Sequence, residues 1–212
     1  MPGTDGYGQN VPRPVLGDAA NIETAMAALV NGVVPLTVMR FANANARAAA
    51  FDSEFPLVPG MVTYLIAEDR WEARRSDGTW LLLSDGPWQP LSYASGYVAN
   101  AGAPAWRQKA GGGIELRGRI MKSGGANFTA DNQWRVFATL PTVARPAAAR
   151  YFIAAARHTV DGDNQSHQTA RVQVATDGEM SFGVELGGGT GIPGSDPAWF
   201  SLDGIQFSPA GD

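Results

Sequence analysis

Turn-forming residues interrupt this chain too often for long helices. It carries 26 glycines and 14 prolines, 40 of its 212 residues. Proline lacks an amide donor and glycine costs backbone entropy, so the elements between them stay short. Those elements alternate. Ile114, Leu116, Gly118 and Ile120 interleave with Glu115, Arg117 and Arg119, the period of a strand with one face buried and one in water. Trp134, Val136, Ala138 and Leu140 interleave in the same way with Arg135, Phe137 and Thr139, which places Trp134 in the core. Residues 151–157, 171–175, 181–186 and 201–207 continue the series, and Asp177-Gly178 joins two of them as a tight hairpin. Short strands with no helices between them predict an all-β chain. From about residue 93 they predict an antiparallel sandwich of jelly-roll type.

The N-terminal part departs from this pattern. Residues 1–20 hold Pro at 2, 12 and 14 and Gly at 3, 6, 8 and 17, and read as an arm without regular structure. Ile22, Met26 and Leu29, with Ala25 and Val30, then fall at helical spacing on one apolar stripe. Asp18 or Asn21 can cap this helix, and Asn31-Gly32 supplies a left-handed stop. A lone helix of about ten residues is marginal in water, so it needs a surface to lie on. That surface is its own β-domain or identical helices of neighbouring subunits. In the second case Ile22, Met26 and Leu29 are attachment and trimerisation residues.

Next come a strand at Val38–Phe41, a short helix over 42–50 and a strand at Met61–Ile66. A hairpin follows, with Ser76-Asp77-Gly78 between Trp71–Arg75 and Thr79–Leu83. Together these predict a compact β-meander. The expected division is an arm and helix over 1–36, the meander module over 37–92 and the sandwich over 93–212.

Few chemistries fit the residues present. Net charge is −4, so no basic field to collect nucleic acid is expected. No apolar run approaches the length of a membrane span, and Met1-Pro2-Gly3-Thr4-Asp5 lacks the regions of a signal peptide. Cysteine is absent, which excludes disulfides, thiolate metal sites and cysteine nucleophiles. There is no His-Glu-x-x-His, no Gly-x-Ser-x-Gly and no phosphate loop ending in Lys-Ser/Thr. The run Gly187–Gly191 has no lysine and reads as a flexible loop. The two histidines, His158 and His167, flank Asp161-Gly162-Asp163-Asn164, which reads as a polar loop that lacks the pattern of a calcium site. The expectation is a non-enzymatic protein without metal or cofactor. Aromatic side chains remain as ligand-contact candidates, Tyr97, Trp106 and Trp199 foremost, since their faces stack on sugar rings and anchor interfaces. Trp199 is expected in a surface loop.

The stretch Arg40 to Leu83 combines an Ala/Asn/Arg run (Arg40–Phe51), a Pro59-Gly60 entry, the strand Met61–Ile66 and an Asp77-Gly78-Thr79-Trp80 hairpin. It resembles modules of bacteriophage tail and fibre proteins, especially those of actinobacterial phages. Tyr7-Gly8-Gln9, Val11-Pro12-Arg13-Pro14 and Asn21–Ala25 resemble N-terminal regions of phage minor tail proteins. Ile114–Ile120, Leu140-Pro141 with Arg145-Pro146, and Trp199–Phe207 resemble their C-terminal β-domains. The resemblance implies a virion protein, made in the host cytoplasm and exposed on the particle. Its N-terminal part would attach to other virion proteins and its β-domain would project as a homotrimer, with host surface glycan as a candidate target. A head fibre or decoration protein has the same fold. A glycan-cleaving tail enzyme is the alternative of another class, disfavoured by the lack of an evident acid/base pair.

Overall fold

The computed structural model describes residues 3–4, 11–13, 21–51, 56–129, 131–158, 169–184 and 197–209, which fall into two compact units, Met1–Gly86 and Pro87–Asp212. In the first unit β1 (Gly3–Thr4) pairs antiparallel with β2 (Pro12–Arg13), and helix α1 spans Ile22–Val33. Asn21 caps α1 by accepting the Thr24 amide at 3.0 Å. The helix does not stop at Asn31-Gly32. It runs on to Val33 and tightens into a 3-10 turn over Val34–Leu36. Gly32 serves packing instead: a Cβ there would lie 2.7 Å from Pro12 Cδ and 3.2 Å from Val11 Cγ1, so only glycine lets that strand approach the helix.

Strand β3 (Val38–Phe41) is followed by α2 (Ala44–Ala49), β4 (Val62–Leu65), β5 (Arg70–Arg74) and β6 (Trp80–Leu82), in sheet order β3-β4-β5-β6. The expected meander holds only for the last three strands. β3 and β4 are parallel, in register Val38↔Val62 to Phe41↔Leu65. A parallel neighbour needs a crossover, and α2 with the segment after it provides one. Asn43 caps α2 through the Ala46 amide at 2.8 Å, and a Glu68 carboxylate oxygen accepts from the Ala44 amide at 3.0 Å.

The interior of this small sheet is partly ionic. Arg47 of α2 donates to the carboxylate of Glu72 and to the Thr63 hydroxyl (3.1 Å), and its guanidinium lies 3.7 Å from the centroid of the Trp80 ring. Arg70 pairs with the other Glu72 oxygen at 2.9 Å. Arg47, Thr63 and Glu72 are all buried beside Met61, Leu65 and Leu82.

The second unit opens with β7 (Gln89–Pro90), which pairs with β9 (Tyr97–Gln108), and β8 (Ser92–Tyr93), which pairs with β11 (Arg135–Thr139). β10 (Ile114–Lys122), β12 (Arg150–His158), β13 (Thr169–Val174), β14 (Glu179–Gly183), β15 (Pro197–Ser201) and β16 (Gln206–Phe207) complete an antiparallel sheet. Its order is β7-β9-β10-β15-β12-β13-β14-β11-β8, with β16 also on β10. β12 belongs to both halves: residues 150–155 pair with β13, and residues 156–158 pair with β15. The sheet therefore folds over on itself into a sandwich. β8, at the end of the path, runs through a turn at 94–96 into β9, the second strand from its start, which nearly closes it.

The core lies between the two halves. Phe128, Phe137, Phe182 and Phe200 are fully buried there with Ile114, Leu116, Ile120, Leu140, Met180 and Leu202. β10 follows its sequence pattern, with Ile114, Leu116, Gly118 and Ile120 inward. β11 does not. A register shift between Val136 and Ala138 turns both Phe137 and Ala138 inward, and Trp134, expected in the core, is 39% exposed. Residues 201–207 are two short strands around a turn, because β15 and β16 pair with successive parts of β10.

At that point on β10 sits Gly118, with φ +87°. A Cβ there would lie 2.6 Å from the Pro104 backbone, where β9 bulges. Its amide donates to Asp203 Oδ1 at 2.7 Å. Gly204 has a similar φ of +85°, but a Cβ on it would meet nothing within 4 Å. Gly118→Ala is therefore expected to cost about 2–4 kcal/mol and Gly204→Ala about 1–2 kcal/mol, read as the difference between their denaturant midpoints. In the first unit Glu72→Ala strands Arg47 and should cost about 3–5 kcal/mol, whereas the double change Arg47→Met with Glu72→Leu should restore most of that loss. Equal losses in the single and double variants would show that the ion pair is not what orders this sheet.

Candidate functional site

The residues expected to mediate attachment lie along α1, and none of that helix is buried. Ile22 is 79% exposed, Met26 53% and Val30 49%, while Leu29 is half-buried. The C-terminal end of the helix opens onto an apolar cavity of about 680 Å³ lined by Val34, Met39, Phe41, Phe51 and Met61 among others. An apolar stripe and an apolar hollow thus adjoin each other in the first unit. Water is a poor solvent for both, and burial against another surface would stabilise them.

Tyr97, Trp106 and Trp199 do not converge. Tyr97 packs on the core, its ring 6.3 Å from Phe128 and 6.0 Å from Phe182, and this burial raises the pKa of its hydroxyl. Trp106 is also packed against the core cluster. Trp199 sits in β15, not in a loop, on the face opposite Phe200, with the Arg119 guanidinium 4.7 Å from its ring centroid. His158 ends β12, and His167, the 161–164 run and the 187–191 glycine run lie outside the described residues. Among the described residues no three His, Asp or Glu side chains cluster in a way that could hold a metal ion.

The structure does gather another set on the outer face of β12, β13 and β14. Tyr151 and Ile153 point outward at 66% and 78% exposure, alternating with inward Phe152 and Ala154. Across from them in register are Gln173 and Arg171. Trp134 lies over Gly183, whose missing side chain makes room for the indole at 3.5 Å. Its ring is 6.2 Å from Tyr151 at 60°, and the Arg171 guanidinium is 5.1 Å from its centroid. Two aromatic faces, an aliphatic side chain and a guanidinium thus form a platform in water. Such a platform can stack a sugar ring or anchor a protein partner. The sequence holds a trace of it, since Tyr151 and Ile153 occupy the solvent phase of a strand whose other phase is Phe152, Ala154 and Ala156.

Trp134 is held in place from its flanks. Asp131 forms a two-pronged ion pair with Arg135, 2.7 Å on the Oδ1 side, and the same oxygen accepts the Gln133 amide at 3.1 Å. This closes a turn around the tryptophan.

No family model matches the sequence, and no curated protein does. Among solved structures the chain is similar to the receptor binding protein (gp15) of Listeria phage PSA, with a TM-score of 0.41 and 19% identity. The match covers 58% of this chain and 64% of that one, so it spans less than two thirds of the phage protein. A likeness this loose assigns neither a fold family nor a partner.

The Asp131–Arg135 clamp has a pH signature. Hydrogen bonding from Arg135 is the main force pulling the Asp131 carboxyl down from 3.8 to about 2. The folded value lies below the ordinary one, so the clamp contributes fully above pH 3.8 and is lost as pH falls through about 2. An NMR titration of the Asp131 carboxyl carbon should give a midpoint near 2. In Arg135→Gln it should return toward 3.8, and a wild-type midpoint already at 3.8 would remove the clamp.

Proposed function

We propose that this chain is a structural virion protein: a trimeric phage tail appendage that attaches through its N-terminal part and presents its second unit to glycan on the host surface. The observation that carries this reading is the apolar face of α1 in water, with Ile22 79% and Met26 53% exposed. A 12-residue helix gains little from its own hydrogen bonds. Identical helices packed on that stripe would cover it and give each copy the same surroundings. The resemblance of residues 21–25 and 40–83 to phage tail modules supports the same assembly. Ile22, Met26 and Leu29 are the residues assigned to it, with other virion proteins meeting the first unit.

In the second unit the Trp134–Tyr151 platform supports a glycan-contacting role. It offers more exposed aromatic surface than Tyr97 and Trp106, which pack partly buried against the core. The reading assigns the chain no catalysis and places it on the particle.

The full-length chain should sediment with the mass of three copies at micromolar concentration. Met26→Asp places a carboxylate in the helix contact and should shift the mass to one copy, with the far-ultraviolet spectrum of the β-structure unchanged. A wild-type mass of one copy, or a Met26→Asp chain that stays trimeric, would overturn the helix assembly.

A further inference from the structure

The outer face of β9, β10, β15 and β12 carries arginines and tryptophans in alternation. The Arg107 and Arg117 guanidinium carbons lie 4.5 and 4.2 Å from the centroid of Trp88. Two residues on from Arg117, Arg119 lies 4.7 Å from the centroid of Trp199. Arg157 of β12 stands directly beside Trp199 in register and is exposed. The phase of β10 puts Glu115, Arg117 and Arg119 on this one side, away from Ile114, Leu116 and Ile120.

The charges on this face are unequal. Glu115 is taken up by Arg107 at 2.7 Å, with Lys109 at 3.8 Å and Gln206 at 3.0 Å. Asp203 accepts from the Gly118 amide and the Ser201 hydroxyl. Arg117 gives one long bond, 3.4 Å, to the Ala103 carbonyl. Among the described residues, Arg117, Arg119 and Arg157 form no ion pair. The five basic and two acidic side chains named here balance to +3, in a chain whose net charge is −4.

The geometry points to this face as a binding site for an anionic glycan, a polysaccharide with repeated carboxylate or phosphate groups. The inference rests on the host-glycan reading above and names the ligand class. Stacking on an indole fixes the plane of a guanidinium while its N–H edge stays available, so it is preorganised for two-pronged oxyanion binding. Two such groups, Arg117 and Arg119, with the exposed Arg157 beside them, fit a polymer with charges at intervals along one sheet face better than a single small anion. The acidic surplus elsewhere on the chain disfavours a densely charged nucleic acid, whose binding scales with the number of phosphates neutralised. The Trp134–Tyr151 platform, with one guanidinium, lies on the other half of the sheet, over β12–β14, and suits an uncharged ring.

Binding of the full-length chain should be measured to polygalacturonate, a phosphomannan, neutral dextran and a single-stranded DNA oligomer. At least one acidic glycan should bind well above dextran and DNA, and its binding should weaken steeply between about 50 and 200 mM salt. The two acidic polymers distinguish carboxylate from phosphate recognition. Arg157→Gln, at an exposed position, should weaken binding about tenfold, and Arg119→Gln with Arg157→Gln about a hundredfold. Arg75→Gln, in the first unit, should change nothing. Equal binding to dextran, preference for DNA, or variants that bind like the parent would each overturn the site. The mass of the same samples separates this test from the assembly reading. A trimer that binds no acidic glycan defeats the site alone, whereas a monomer that binds one keeps the site and defeats the trimer.

Discussion

The second unit depends on one aromatic contact across its sandwich. Phe182 of β14 and Phe200 of β15 stack with centroids 4.9 Å apart at 24°. Along the sheet these strands are separated by β13 and β12, so their contact exists only because the sheet folds over. Phe128 fills the remaining space at 4.6 Å from Phe182 and 5.4 Å from Phe200, and Phe137 closes it at 4.9 Å from Phe200. Each ring contributes on the order of 1.5–3 kcal/mol by leaving water, and the pairings add to that. Tyr97 packs at the edge of the same group.

An interior filled by phenylalanine leaves little room for indoles. Trp88, Trp134 and Trp199 lie on the outer faces, and each has an arginine against its ring. The first unit repeats the pairing in its interior, where Arg47 lies on Trp80. There the guanidinium is buried and needs Glu72 and Thr63 to satisfy it, so the contact is structural. On the sheet faces of the second unit the same pair of residue types remains open to solvent and to ligands. Burial and partner, more than residue type, separate the two roles.

The all-β class, the hairpin at Asp177-Gly178 and the phase of β10 were legible because each rests on local chemistry: turn residues and period-two alternation. What the sequence misassigned depends on contacts distant along the chain. One shifted residue in β11 sent Trp134 outward and Phe137 inward, and no local signal marks that bulge. Gly32 has the appearance of a helix stop, yet its role is set by Pro12 and Val11 lying against it. β3 and β4 are parallel because the connection through α2 is a crossover, and the expected short helix over 42–50 does not by itself reveal that orientation. For the site, aromatic type alone did not discriminate. Tyr97 and Trp106 are partly buried against the core, while Tyr151 stands in the solvent phase of its strand.

Both binding faces proposed for the second unit are built mainly on paired strands, with Trp88 and Trp134 supplied by the segments that lead into β7 and β11. Arg117 and Arg119 flank Gly118, whose amide is held by Asp203 and whose carbonyl accepts from Leu202. The bulge thus fixes the spacing of the two guanidinium groups before any ligand arrives. Trp134 is likewise fixed between the Asp131–Arg135 clamp and the surface of Gly183. Side chains ordered in advance lose less entropy on binding, so a modest number of contacts suffices for a useful affinity. Presented in several copies, weak contacts of this kind combine, because the second attachment occurs at the effective concentration set by the first. A rigid sheet with individually weak, repeated oxyanion contacts is therefore a consistent physical design for holding a repeating polymer, and it ties the proposed ligand class to the proposed oligomer.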